Sequence, residues 1–183
     1  MGSLSRHFTR LFPGQAVLVV LAIAMPSVVL CTEHSGDVWG TWARADSPHI
    51  ITGEVRVPPS QMLTIEPGCE VLFRGYYKLI VDSAAVLQAV GTEVDSLLFD
   101  VETPGTYWHG VRFLKADSAS TISYARLQHG RALEGGPPYQ DTMGGAVYCS
   151  HSSPTLSHNI FTGNWSYRGG GRSTVTPVLM PPL

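Results

Sequence analysis

The chain has 183 residues, 44% of them apolar and only 14% charged, with 19 glycines, 13 prolines and a formal net charge of −2. Only two lysines occur, Lys78 and Lys115, which excludes the Glu/Lys-rich composition of a long-helix bundle, and the β-branched and aromatic content excludes a disordered chain. No basic cluster is present, so nucleic acid is excluded as the main partner.

Residues 1–32 read as a secretory signal peptide. Arg6, His7 and Arg10 give a positive start, Ala16-Val17-Leu18-Val19-Val20-Leu21-Ala22-Ile23-Ala24 is an unbroken apolar run, and small residues follow Pro26. The apolar stretch is short for a spanning helix, which needs about 20 residues. Cleavage is expected near Cys31 to Glu33. A retained anchor and a lipid anchor on Cys31 are the alternatives, although Leu30 stands where a lipidation motif needs a small residue. The mature chain is then mildly acidic and secreted or held at the cell surface, outer-membrane association included, touching membrane only through its leader. Cys69 and Cys149 are read as small buried apolar residues rather than a disulfide.

From residue 33 the chain is a succession of short strands. Glu54-Val55-Arg56-Val57 alternates and is stopped by Pro58-Pro59; Leu63-Thr64-Ile65 is turned by Glu66-Pro67-Gly68. Val71-Leu72-Phe73, Lys78-Leu79-Ile80-Val81, Val86-Leu87-Gln88-Ala89 and Ser96-Leu97-Leu98-Phe99 come next. Then a repeat appears. Thr121-Ile122-Ser123-Tyr124-Ala125-Arg126-Leu127 aligns without a gap on Thr155-Leu156-Ser157-His158-Asn159-Ile160-Phe161. Gly110-Val111-Arg112-Phe113 and Gly145-Ala146-Val147-Tyr148 form a second pair, aligned on their glycines, and 132–142 reads as an inserted loop.

No stretch carries a helical apolar period over ten residues, and no Asn-Gly or Asp-Gly hairpin signal occurs. Short strands repeating at about 22 to 26 residues suit a parallel β-solenoid better than a sandwich or a propeller. The expected fold is therefore all-β, a parallel β-helix of short coils over 33–171, with 172–183 as an irregular tail and the C-terminal end uncapped.

The run Leu63-Thr64-Ile65-Glu66-Pro67-Gly68-Cys69-Glu70-Val71-Leu72-Phe73, followed by Leu87-Gln88-Ala89-Val90-Gly91-Thr92 and Trp108-His109-Gly110-Val111-Arg112-Phe113, resembles the secreted right-handed parallel β-helix proteins of bacteria with the pectate-lyase-like fold. The resemblance runs from about Gly36 to Gly171 and implies the N-terminal part of a longer surface protein. Catalytic members stack carboxylates on one face of adjacent coils. Here Glu93, Asp95, Asp100, Glu102 and Asp117 fall near turns without that spacing, and His129-Gly130 is a faint echo of a hydrolase step.

His34, His49, His109, His129, His151 and His158 form no metal-ligand spacing, and no phosphate-cradling glycine loop occurs. No catalytic, cofactor-binding or metal residue is therefore assigned, and no cofactor is expected. Trp39, Trp42, Tyr76, Tyr77, Trp108, Tyr139 and Trp165 are read as core or coil-edge packing ahead of a sugar-stacking surface. The expected function is a non-enzymatic exported module, structural, adhesive or glycan-binding, with polysaccharide or cell-surface glycan as partner and loop 132–142 as the place for recognition. The alternative is a polysaccharide lyase or glycoside hydrolase of the same fold, in which Asp117 or Asp141 would carry activity.

Overall fold

A computed structural model describes residues 31–133, 135 and 139–169. The expected leader lies outside the described residues except for its last two, and the tail 172–183 lies outside them altogether.

The described chain is all-β, with two short 3₁₀ turns and no α-helix. In chain order the strands are β1 (Thr32–Asp37), β2 (Gly40–Trp42), β3 (His49–Val57), β4 (Met62–Ile65), β5 (Glu70–Phe73), β6 (Leu79–Val81), β7 (Val86–Val90) and β8 (Leu97–Val101). They continue as β9 (Val111–Leu114), β10 (Thr121–Ser123), β11 (Ala125–Gln128), β12 (Arg131–Ala132), β13 (Val147–Ser150), β14 (Thr155–Ser157), β15 (Ile160–Thr162) and β16 (Trp165–Ser166). Among the described residues every pairing between them is parallel, and each joins strands of successive coils.

Three ladders run along the solenoid-like stack. The first joins the front of β3 to β5, β8, β11 and β15; the second joins its rear to β6, β9 and β13; the third is β2, β4, β7, β10 and β14. Register aligns inward side chains into columns. Val71, Phe99 and Leu127 make one, Val57, Val81 and Phe113 a second, and Ile65, Ala89 and Ile122 a third, all essentially inaccessible. Alternation gives each strand one such face, because successive side chains point to opposite sides. Trp108 lies between coils, stacked on Phe73 at 4.3 Å, and donates its indole N–H to the Gln128 carbonyl at 2.6 Å.

The gapless repeat is reproduced as spatial register: Thr121 to Ser123 lie on Thr155 to Ser157, and Arg126 to Gln128 on Ile160 to Thr162. The glycine pair is corrected. Val111 sits on Val147, not on Ala146, so the glycine-led alignment is one residue out of step. Gly110 takes a left-handed φ of +84°, whereas Gly145 is glycine because a Cβ there would meet the Trp165 carbonyl oxygen at 2.5 Å.

Corners are made by residues that repeat. Tyr124 (φ 49°) and His158 (φ 54°) are both left-handed, which throws their rings outward, where they stack at 4.5 Å. Asn159 accepts from Ala125 N–H at 3.0 Å and donates to the Ile122 carbonyl at 2.7 Å. Asn164 does the same one corner on, to Gly130 N–H at 2.7 Å and the Leu127 carbonyl at 2.8 Å. Each amide satisfies two backbone groups of the preceding coil that a corner removes from the ladder. Asn164→Ala is expected to lower stability by about 1–3 kcal/mol, since both groups lose their partner; urea unfolding checks this. The same two bonds occupy the amide of the Asn164-Trp165-Ser166 sequon.

Candidate functional site

Outward positions on the second ladder also align. Arg56, Ile80, Arg112 and Tyr148 form one column across β3, β6, β9 and β13. Two of them are covered despite facing outward, Ile80 at 7% exposure and Arg112 at 2%. The cover is the inserted segment, whose 3₁₀ turn Tyr139–Thr142 lies against this face. Between them is a cleft of about 220 Å³ lined by Glu54, Arg56, Lys78, Arg112, Asp141 and Tyr148, among others.

Four side chains from earlier coils fasten the insertion. The Tyr76 hydroxyl donates to the Arg131 carbonyl at 2.9 Å and accepts from Leu133 N–H at 3.0 Å. The His109 Nε2–H donates to the Asp141 carbonyl at 2.8 Å, and its ring stacks on Tyr76 at 4.6 Å. Lys78 Nζ lies 2.8 Å from the Asp141 carboxylate and 3.8 Å from that of Glu54. Arg112 donates through Nη1 to the Met143 and Gly144 carbonyls at 2.8 and 2.5 Å, and through Nη2 to the His109 carbonyl.

The electrostatics follow from this packing. Burial, with Arg112 adjacent, pushes His109 down to about 4, so the ring is neutral at pH 7 and keeps its proton on Nε2. Burial pushes the Arg112 guanidinium down to about 10. Its Nε is buried with no hydrogen-bond partner among the described residues.

Sequence reading places recognition in loop 132–142, and Gln140 and Asp141 at the C-terminal end of that loop wall this cleft. It misses Tyr76, Lys78, His109 and Arg112 as the residues that hold it. The only sequence signal for Lys78 is that it is one of two lysines, and for Arg112 that it is a cation in an alternating strand of a chain poor in charge.

Glu54 and Asp141 are also brought together, no farther apart than the sum of their two distances to Lys78. The lysine lies between them, where the scissile oxygen of a glycosidic bond would have to sit for two carboxylates to act on it. Four of the acids singled out in the sequence are used elsewhere. Asp95 pairs with Arg44 at 2.7 Å, Glu102 with Arg74 at 2.6 Å and Asp100 with His129 at 2.7 Å. Asp100 lies within β8 rather than at a turn. Asp117 accepts from Ala119 N–H at 2.8 Å.

Trp42 and Trp108 are core, as expected, whereas Trp39, Tyr76 and Trp165 are exposed at 60%, 39% and 37%. Tyr77 packs partly buried on the core. Cys69 is buried, which pushes its thiol up to about 11. Cys149 corrects the reading of two buried cysteines: it takes an inward position, in register with Phe113, yet is exposed because no described coil covers it.

His34 and His49, unremarkable in sequence, meet at the opposite end of the stack. His49 donates through Nε2 to the Ala43 carbonyl at 3.0 Å, so its Nδ1 accepts from His34 Nε2–H at 3.1 Å. Trp42 stacks on both rings, at 4.2 and 5.1 Å. Burial and the neighbouring ring push His34 down to about 4. Among the described residues no group of three or more metal-ligating side chains occurs, and no helix is long and apolar enough to cross a membrane.

No known protein family, curated protein or solved structure matches this chain.

Proposed function

We propose that the protein is a non-enzymatic exported β-helix module that binds polysaccharide or cell-surface glycan in the cleft under its inserted loop. The stack is read as right-handed, the hand that parallel crossovers take almost without exception, and as pectate-lyase-like on the sequence resemblance. The observation that carries the reading is the fastening of the insertion by Tyr76, Lys78, His109 and Arg112. It makes a fixed wall out of a long loop, carrying Gln140 and facing an aromatic ring, Tyr148, and the hydrogen-bonding head of Arg56. A rigid scaffold with a pre-formed polar cleft and an aromatic wall suits the alternating polar and apolar faces of a sugar ring.

The second reading, a lyase or hydrolase, rests on the approach of Glu54 and Asp141 around Lys78. One experiment separates the two. The protein is run in native gels containing polygalacturonate, alginate or neutral glucans, with and without calcium, and the same mixtures are assayed for unsaturated ends and reducing sugar. Retention without products is expected, with Tyr148→Ala weakening it about tenfold, or 1.4 kcal/mol, at unchanged thermal midpoint. Products that vanish in Asp141→Asn would establish the enzyme reading. Migration unaffected by every polysaccharide would remove glycan binding.

A further inference from the structure

Arg112 is the most deeply buried cation among the described residues, at 2% exposure, and it lines the cleft. A buried charge is ordinarily held by an opposite one. Here none touches it. Among the described residues the carboxylates nearby are taken by other cations: Asp141 and Glu54 face Lys78 at 2.8 and 3.8 Å, and Asp82 pairs with Arg56 at 2.6 Å. Arg112 spends both terminal nitrogens on the main-chain carbonyls of Met143, Gly144 and His109, and its Nε–H is left buried with no partner. A buried donor without a partner is costly, more so on a charged group.

The charges around it do not balance. Arg56, Lys78 and Arg112 line the cleft against Glu54 and Asp141, which leaves one positive charge in excess, in a chain of formal net charge −2. Burial pushes the guanidinium down to about 10, so it is still charged at neutral pH. The excess matches an anion of single charge. The donors decide its shape. A carboxylate is gripped best by two parallel N–H groups of one guanidinium, and both terminal nitrogens of Arg112 are already engaged. What the cleft offers instead is separate donors from three sides: Arg112 Nε–H on β9, the head of Arg56 on β3 and the amide of Gln140 on the 3₁₀ turn. Three such donors suit a singly charged tetrahedral group with three free oxygens, which on a sugar is a sulfate half-ester.

We propose that the cleft contains a subsite for a sulfate half-ester, its three free oxygens accepting from Arg112 Nε–H, Arg56 and Gln140. This rests on the glycan reading for what carries the sulfate, and makes the ligand a sulfated polysaccharide. Tyr148, whose half-buried ring stands 5.8 Å over the guanidinium carbon, is the side chain that turns aside to let an oxygen reach Nε–H. Lys78 keeps its two carboxylates and goes on holding the wall.

The test uses the full chain and two probes. In the first, sodium sulfate is added at constant ionic strength while the arginine Nε–H resonances are followed by NMR. The expected result is a saturable shift of the Arg112 resonance, with half-saturation at about 1–20 mM, that sodium acetate does not produce. Arg56→Gln, at a half-exposed position, is expected to weaken sulfate about tenfold with an unchanged circular dichroism spectrum, and Tyr148→Ala to leave sulfate bound. In the second, native gels contain dextran sulfate, dextran or polygalacturonate, and dextran sulfate is expected to retain the protein most strongly. No shift with sulfate, an equal shift with acetate, or the same sulfate affinity in Arg56→Gln would overturn the subsite. Sulfate bound at Arg112 without retention by dextran sulfate would keep the subsite and remove the glycan reading. Equal retention by all three polymers, with no sulfate shift, would keep the glycan reading and remove the subsite.

Discussion

Gly110→Val is expected to destabilise the protein by about 3–5 kcal/mol, a large share of the stability of a typical domain. Two independent costs meet at this residue. Its φ of +84° lies in the left-handed region, where a β-branched side chain is strained by about 1–3 kcal/mol. A Cβ would also collide with the Gly145 carbonyl oxygen and lie 2.7 Å from that of Ala146, both on the next coil. Those atoms belong to the backbone, so no rotamer relieves the contact. Gly105 separates the two costs: its φ is +86° and nothing stands within 4 Å of the added carbon. Gly105→Ala should cost about 1 kcal/mol and Gly110→Ala about 2–4 kcal/mol. Urea midpoints for the three variants check this, and equal losses at the two alanine variants would show that the coils are not packed this closely.

Acid should weaken the fold well before its carboxylates are protonated. His34 and His109 are held down to about 4, both by burial first, and His49 is lowered for the same reason. In the unfolded chain each titrates near its ordinary value of about 6.5. The unfolded state therefore binds more protons between those values, and stability rises with pH across that window. The contribution is complete above about pH 6.5 and is lost as pH falls to about 4. His109, 5% exposed, should contribute about 2–3 kcal/mol, and His34, half-buried and partly screened, less. The urea midpoint should fall steeply between pH 7 and 4.5, and His109→Gln, which keeps a donor for the Asp141 carbonyl, should flatten the slope. A midpoint constant over that range would contradict the buried neutral rings.

The strand-forming segments could be read from alternation and from their Gly and Pro bounds, and one alignment also carried spatial register. The offset of 34 between Ala125 and Asn159 recurs from Gly130 to Asn164, because the segments 125–130 and 159–164 have the same length. At Gly110 and Gly145, similarity of glycines misplaced the register by one residue. Gly110 answers both a left-handed φ and a close backbone approach and Gly145 the approach alone, and a sequence shows only that both are glycine. The first half of β3 was missed for a different reason. His49, Thr52 and Gly53 dilute the apolar pattern, and His49 faces inward, 1% exposed, only because His34 and Ala43 satisfy its nitrogens.

The cleft was foreseeable as a place but not as a set of residues. An insertion in a repeat is visible in one dimension; what it lies against is not. Lys78 and Asp141 are 63 residues apart, and the link between them exists only once β6 and β13 belong to the same ladder. Arg112 illustrates the limit further. It occupies an outward position of an alternating strand, which predicts solvent, and it is buried because the insertion folds back over it.

The parallel, in-register stack underlies everything above, and interproton contacts in solution test it most directly. Successive coils lie about 4.8 Å apart, so each inward side chain should touch its counterparts on both sides. Leu127 should show contacts to Phe99 and to Phe161, and Ile122 to Ala89 and to Leu156, with no Hα–Hα contacts of the antiparallel kind between strands. Antiparallel Hα–Hα contacts, or a Leu127 that touches neither phenylalanine, would contradict the stack.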